Sequence, residues 1–302
     1  MQRPPSPIQE IEMPVLVAKK IRLLVKRDDL LHPQVSGNKW RKLKYNFLEA
    51  QSLGFQKVVT YGGAFSNHLA AVAAAGKYLG FDTFGIIRGE AHYPLNPTLQ
   101  FAASCGMQFY FIPRATYRTI DRLAFAQQTF PFPFYFLPEG GTNALALQGC
   151  EEIISEVAIQ LTPQLPDYYC LSVGTGGTMA GVVKGLRNKA KVIGFAALKG
   201  DFLHREVQTL LGEAAFGNWE IALDYHFGGY AKFQAELIEF INSMQRNYQL
   251  PLDPVYTGKT LFGILDYVKK DYFIPESTIL MIHTGGLQGI AGFNQRFGNI
   301  ID

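Results

Sequence analysis

Short β-branched or aromatic runs alternate with longer helical stretches almost from end to end of the chain. Runs over 21–26, 57–61, 83–87, 108–112, 134–137, 168–173, 191–196, 220–225 and 278–283 read as strands. The stretches over 40–53, 67–79, 96–105, 116–128, 144–160, 178–186, 202–211, 232–247 and 258–270 read as helices. Strand-then-helix repetition predicts an α/β protein with parallel sheets covered on both faces. In such sheets a ligand sits beyond the carboxyl ends of the strands, where loops lead into helices. That rule directs attention to the loops that follow strands.

Composition narrows the setting. The 302 residues carry a formal net charge of +3, spread along the chain, so nothing in the balance points to a nucleic-acid partner. A length of this order suggests about two domains, although no linker or low-complexity tract marks a boundary. Cys105, Cys150 and Cys170 are widely separated and form no C-x-x-C pair or Cys/His metal spacing. They suit a reducing cytoplasm. No run approaches the ~20 apolar residues of a membrane span. The opening MQRPPSPIQEIEMP, with two acids and four prolines, is unlike a signal peptide.

Five loops carry candidate chemistry. Ser36-Gly37-Asn38-Lys39-Trp40-Arg41-Lys42 opens a helix. Its plain structural reading is a solvated basic face. Its functional reading is a lysine at a small-residue entry, its pKa lowered by burial and by Arg41 and Lys42, able to form a Schiff base. Tyr61-Gly62-Gly63-Ala64-Phe65-Ser66-Asn67-His68 follows an apolar strand and enters an alanine-rich helix. Ser66 or Asn67 could cap that helix, and the same geometry could bind a carboxylate.

Gly174, Thr175, Gly176, Gly177 and Thr178 lie between an apolar strand and a helix, the arrangement of a phosphate cradle. The loop lacks the Lys-Ser/Thr of a Walker loop. Met179 stands where a dinucleotide fingerprint needs its third glycine. A mononucleotide-like phosphate fits it better, with a tight structural turn as the alternative. Asp253-Pro254-Val255-Tyr256-Thr257-Gly258-Lys259-Thr260 and His283-Thr284-Gly285-Gly286 each read singly as a turn with a cap. Gly229-Tyr230 reads singly as packing.

Taken together, KRDDL (26–30), SGNKWRKL (36–43), SNH (66–68), PEGGTN (138–143), GTGGT (174–178), GGY (228–230), DPVYTGK (253–259) and HTGG (283–286) resemble one family in order. It is the 1-aminocyclopropane-1-carboxylate deaminase and D-cysteine desulfhydrase family of tryptophan-synthase-β-like pyridoxal phosphate enzymes. The resemblance implies two open, twisted, mostly parallel sheets: a small domain at 52–140 carrying the Ser-Asn-His loop, and a large cofactor-binding domain from 1–51 and 141–302. It implies a small amino-acid substrate, pyridoxal 5'-phosphate as cofactor, and no membrane or nucleic-acid partner. Homodimers are the commonest symmetric assembly.

The residue roles follow from the same resemblance. Lys39 would carry the cofactor and then move protons at the substrate's carbons. Lys42 and the loop from Gly174 to Thr178 would hold the phosphate, and Asn67 the ring oxygen. Ser66 and the amides of Asn67 and His68 would hold the substrate carboxylate. Tyr230 and Tyr256 would flank the reacting carbon and the leaving group. Thr257 and Thr284 would stand near the pyridine nitrogen, where the deaminase branch carries Glu and Leu, so the chain leans toward the desulfhydrase branch.

Phe65 replaces a usual Gln and Ala70 a usual Arg near the expected carboxylate site, and Ser36 replaces a usual glycine. The alternatives are a 1-aminocyclopropane-1-carboxylate deaminase, a dehydratase or synthase of the same fold, and a non-catalytic carrier of the cofactor.

Overall fold

The computed structural model describes residues 3–213 and 216–302. The chain opens with strand β1 (Ile8–Ile11), helix α1 (Pro14–Ala18), strand β2 (Arg22–Lys26) and helix α2 (Asn38–Ser52). There follow β3 (Lys57–Gly63), α3 (Asn67–Leu79), β4 (Asp82–Arg88), α4 (Pro97–Ser104), β5 (Gln108–Ile112), α5 (Arg114–Thr119), α6 (Arg122–Thr129) and β6 (Tyr135–Leu137). The third stretch runs α7 (Ala144–Leu161), β7 (Tyr168–Val173), α8 (Gly177–Leu186), β8 (Lys191–Ala196), α9 (Phe202–Leu211) and β9 (Trp219–Ala222). Helices α10 (Ala235–Tyr248) and α11 (Thr257–Lys269), strand β10 (Thr278–Ile282) and helix α12 (Gly289–Phe297) complete it.

Two sheets result: the alternation predicts their parallel pairing, and the family resemblance their number. The larger has six strands in the order β1-β2-β10-β7-β8-β9, the smaller four in the order β5-β4-β3-β6. All described pairings are parallel except that of β1 with β2. Strand β7 is buried along its whole length. Its Tyr168 and Cys170 enter one apolar cluster, while Tyr169, Leu171 and Val173 enter the other. The two-residue period thus feeds two helical layers, which is why this run is apolar throughout rather than alternating.

The four strands of the small sheet all fall within 57–137. Helix α2 lies between the two halves. Leu43, Phe47 and Ala50 share a core with Val58, Leu69 and Val72 of the small half, while Arg41, Lys44 and Tyr45 bond to α7. The helix that carries Lys39 is therefore wedged between the sheets. Three elements escape the sequence pattern: β1, α1 and α12. The single helix expected over 116–128 is two, because Asp121 accepts from the Ala124 amide and caps α6 afresh.

Candidate active site

The carboxyl ends of both sheets face one cavity of about 690 Å³. Its wall brings together Lys39, Lys42, Ser66, Asn67, His68, Gly174 through Thr178, Tyr230, Tyr256 and Thr284. These residues are scattered over the whole sequence, and the strand-to-helix loops gather them, as the strand-end rule anticipates.

Lys39 is held by its helix entry. Gly37 has φ +64°, and a Cβ there would lie 2.0 Å from the Thr284 carbonyl oxygen, so only glycine allows this approach. The Asn38 amide donates to that carbonyl at 3.1 Å, and the Asn38 side chain donates to Thr178 Oγ1 at 3.0 Å. The first turn of α2 is thereby tied to the last glycine loop and to α8. Lys39 makes no hydrogen bond or ion pair among the described residues. Burial, then the neighbouring Lys42, lowers its pKa to about 7.

The basic run is not a solvated face. Arg41 turns away from Lys39 and forms a buried bidentate pair with Asp28 (2.6 and 2.7 Å), with Glu156 completing it at 2.9 Å. Of the two neighbours expected to depress Lys39, only Lys42 acts, because positions 39 and 42 share a helix face and 41 does not.

Lys42 Nζ donates to Thr142 Oγ1 at 3.0 Å, to Thr175 Oγ1 at 3.3 Å and to the Gly140 carbonyl at 3.4 Å. It is 2% exposed and faces no carboxylate among the described residues. A Cβ on Gly177 would come within 3.1 Å of that nitrogen, so the ammonium lies beside the start of α8. A buried cation without a counter-charge, next to first-turn amides that have no intrahelical acceptor, fits a phosphate.

On the opposite wall Ser66 caps α3, its hydroxyl accepting from the Leu69 amide at 3.3 Å. The His68 ring is 2% exposed. Thr60 Oγ1 lies 2.8 Å from its Nε2 and donates to the Leu137 carbonyl at 2.9 Å. A hydroxyl has one proton and the carbonyl can only accept, so Nε2 carries a proton and donates. Nδ1 is then a lone-pair acceptor, buried and without a partner among the described residues. Burial, Lys39 and Lys42 hold the ring well below the usual histidine range, hence neutral. The side-chain amide of Asn67, also on the cavity wall, makes no hydrogen bond among the described residues.

Tyr256 lies against Gly174, and its ring centroid is 6.3 Å from that of Tyr230. Burial above all, with Tyr230 and Asp253 adding to it, pushes the Tyr256 phenol well up, so at neutral pH it is a proton donor. The Tyr230 loop is tethered by Lys259, which donates to the carbonyls of His226 (2.8 Å) and Gly229 (2.9 Å).

Thr257 departs from expectation. It is absent from the cavity wall: its hydroxyl donates to Asp253 Oδ1 at 2.8 Å and accepts from the Asp253 amide at 2.9 Å. Asp253 also accepts from the amides of Val255, Tyr256 and Thr257, which turns this part of the motif inward as a helix cap. Thr284 does line the cavity, its hydroxyl 3.4 Å from that of Ser172. Phe65 lines it too, packed on Gly292, whereas Ala70 is buried within α3 and away from it.

Sequence reasoning passes over Asn38, Ser172 and three arginines on the cavity wall, Arg88, Arg114 and Arg118, and over Thr142, which meets Lys42. Asn38 and Thr142 sit inside motifs already singled out, so a search for hydroxyls and amides there would find them. The arginines follow or end strands of the small sheet, which is the only signal they give.

The chain matches the family model of pyridoxal-phosphate dependent enzymes over residues 5–285, and it belongs to that family. It is similar to the bifunctional D-cysteine desulfhydrase/1-aminocyclopropane-1-carboxylate deaminase of Arabidopsis thaliana mitochondria: 32% identical, over 95% of this chain and 77% of that one. A Pyrococcus horikoshii protein provisionally named a 1-aminocyclopropane-1-carboxylate deaminase is 30% identical over 92% of this chain and 88% of its own. The crystal structure of a deaminase homologue of the same class superposes with a TM-score of 0.84 at 26% identity, covering 98% of this chain and 94% of that one. A fungal L-serine ammonia-lyase from Rhizomucor miehei shares the fold, with a TM-score of 0.67 at 14% identity over 94% of each chain. The cofactor is pyridoxal phosphate, and the chain is an enzyme of the deaminase/desulfhydrase kind. No helix among the described residues is long and apolar enough to cross a membrane.

Proposed function

We propose that the protein is a lyase that releases ammonia, a 2-oxo acid and a β-substituent from a small amino acid, with D-cysteine as the representative substrate. The observation that carries this choice is the Thr284 wall. Among the described residues, the side chains offered there are the hydroxyls of Thr284 and Ser172. Glu139, the one carboxylate on the cavity wall among the described residues, is paired with Arg122 on the other side. A hydroxyl leaves a pyridine nitrogen neutral and its electron demand modest, which suffices when the substrate has a good leaving group such as thiolate.

When bound, pyridoxal phosphate supplies a conjugated ring system that accepts the electron pair released at Cα. The chain does the rest. Lys42 and the amides of α8 would hold the phosphate, with Thr142 and Thr175 steadying the lysine. Asn67 would bond the ring oxygen, and the α3 N-terminus with Ser66 would take the substrate carboxylate. The neutral His68 ring, locked by Thr60, would add no charge beside them. Lys39, with a pKa of about 7, is partly unprotonated at neutral pH and can take the Cα proton. Tyr256, kept as a phenol, is suited to donate to the departing group.

The test is an assay of D-cysteine for equimolar pyruvate, sulfide and ammonia. Lys39→Ala should abolish them, a loss of at least about a thousandfold. Ring opening of 1-aminocyclopropane-1-carboxylate without sulfide from D-cysteine would favour the deaminase branch instead. Relatives bearing that name are the reason to run both arms.

A further inference from the structure

The carboxyl edge of the small sheet holds three guanidinium groups to which the reading above gives no role. Arg88 ends β4, Arg114 opens α5 just after β5, and Arg118 lies one turn further along α5. All three line the cavity that contains Lys39. None pairs with a carboxylate among the described residues, and Glu139, the available acid, is taken by Arg122 at 2.9 Å.

Their positions come from packing rather than from ion pairs. The Arg88 guanidinium lies over the Tyr117 ring, 5.5 Å from its centroid, and against Gly63, where a Cβ would fall 3.1 Å from Nη2. Arg114 occupies the space beside Gly89, its Nε 3.6 Å from where a Cβ would be. Gly63 leads directly into the Ser66 loop, so Arg88 flanks the region assigned to the α-carboxylate. The positive charge of Arg88 also reaches Tyr230, opposing the rise of that phenol's pKa. Arg88 therefore lines the cavity beside the carboxylate loop.

A substrate with a neutral side chain makes no use of the three arginines, which are exposed to solvent at the cavity wall. Lys42 and α8 answer the phosphate, and α3 answers the α-carboxylate. A thiol or hydroxyl on Cβ would leave all three arginines without an anion in a cavity that gathers them. Planar guanidinium forks are suited to oxyanions, bidentately.

We propose that Arg88, Arg114 and Arg118 bind an oxyanion carried on the substrate's side chain, so that the preferred substrates are small amino acids with a second negative charge at Cβ. The proposal rests on the lyase reading and names the substrate class of the same site. O-phosphoserine is the probe. Its Cα proton passes to Lys39, the Cα–H pair becomes the second Cα–Cβ bond, and the Cβ–O bond breaks with its pair leaving on phosphate. Hydrolysis of the released enamine gives pyruvate and ammonia, so O-phosphoserine and water yield pyruvate, ammonia and phosphate. The arginines meet the charge of both the bound ester and the departing phosphate.

The experiment compares kcat/KM for D- and L-O-phosphoserine with that for D-cysteine on the cofactor-loaded enzyme. The better phosphoserine enantiomer should exceed D-cysteine by about tenfold or more, as two or three charge-assisted contacts allow. Arg114→Gln with Arg118→Gln, both at exposed positions, should erase that ratio through KM, and Arg→Lys at the same positions should restore part of it. Raising NaCl to about 0.5 M should lower the ratio as well, because exposed charges are screened. A yellow protein to which O-phosphoserine is inert, or no better than D-cysteine, overturns this inference and leaves the lyase reading intact. So does a glutamine pair that lowers turnover of both substrates equally. Protein that fails to take up the cofactor overturns the lyase reading and this inference together.

Discussion

On different faces of α2, Arg41 and Lys42 are equally buried, yet their charges are met in different ways. Arg41 is answered within the chain by two carboxylates, Asp28 and Glu156. Among the described residues, Lys42 is answered only by neutral oxygens of Thr142, Thr175 and Gly140. Taking a cation out of water is costly unless an anion compensates it. Arg41 is thus part of the fold, pinning α2 to the segment after β2 and to α7. On the function proposed above, Lys42 is the position that an anionic ligand completes. Adjacent positions in one basic run divide structure from function, and only their partners distinguish them.

The largest effect expected from this contrast is on the structural face. Arg41→Ala leaves Asp28 buried and unpaired, and should destabilise the protein by about 3–5 kcal/mol, read as a lowered denaturant midpoint. Next comes the ligand face. Lys42→Met should leave the cofactor-free protein as stable as before or more so, since it removes an uncompensated buried charge. The same change should weaken pyridoxal phosphate binding by about 1.5–3 kcal/mol, the worth of a hydrogen bond to a charged group. Titration of the visible band measures the second effect and denaturation the first. Equal effects of the two substitutions on stability would dissolve the contrast.

A smaller effect is expected from Gly177→Ala. Its Cβ would meet Thr142 and the Lys42 ammonium at 2.8 and 3.1 Å, which should reduce cofactor affinity by about 1 kcal/mol or more. A pH dependence is expected as well. The folded-state pKa of Lys39, about 7, lies below its ordinary value of 10.5. The folded chain therefore binds fewer protons than the unfolded chain between those values. This group's contribution to the stability of the cofactor-free protein should rise as pH increases from about 7 toward 10. The rate of cofactor capture should rise through about pH 7 for the same reason. In Lys42→Met, which lacks the neighbouring charge, both curves should shift to higher pH.

Much of this is legible in the sequence, for physical reasons. The nine strands expected from apolar runs are all present, because parallel strands buried on both faces need continuous apolar sequence, as at 168–173. Strand β1 is hidden: IQEI is short, flanked by prolines, and paired only along one edge. Helix α12 carries two glycines that weaken its helical pattern. In the site, the glycine loops can be read because close backbone approach permits few residue types. Thr257 cannot be read correctly, since Asp253, four positions earlier, decides where its hydroxyl points. The three cavity-wall arginines carry no local signature; they become neighbours only when β4 and β5 align.

The most direct test of Lys39 as the cofactor's anchor is borohydride reduction of the yellow holoenzyme, followed by peptide mapping. The reduced pyridoxyl group should appear on Lys39 alone, with the visible band lost in parallel. Label on Lys42 or Lys259, the other buried lysines of lowered pKa near the cavity, would contradict that assignment.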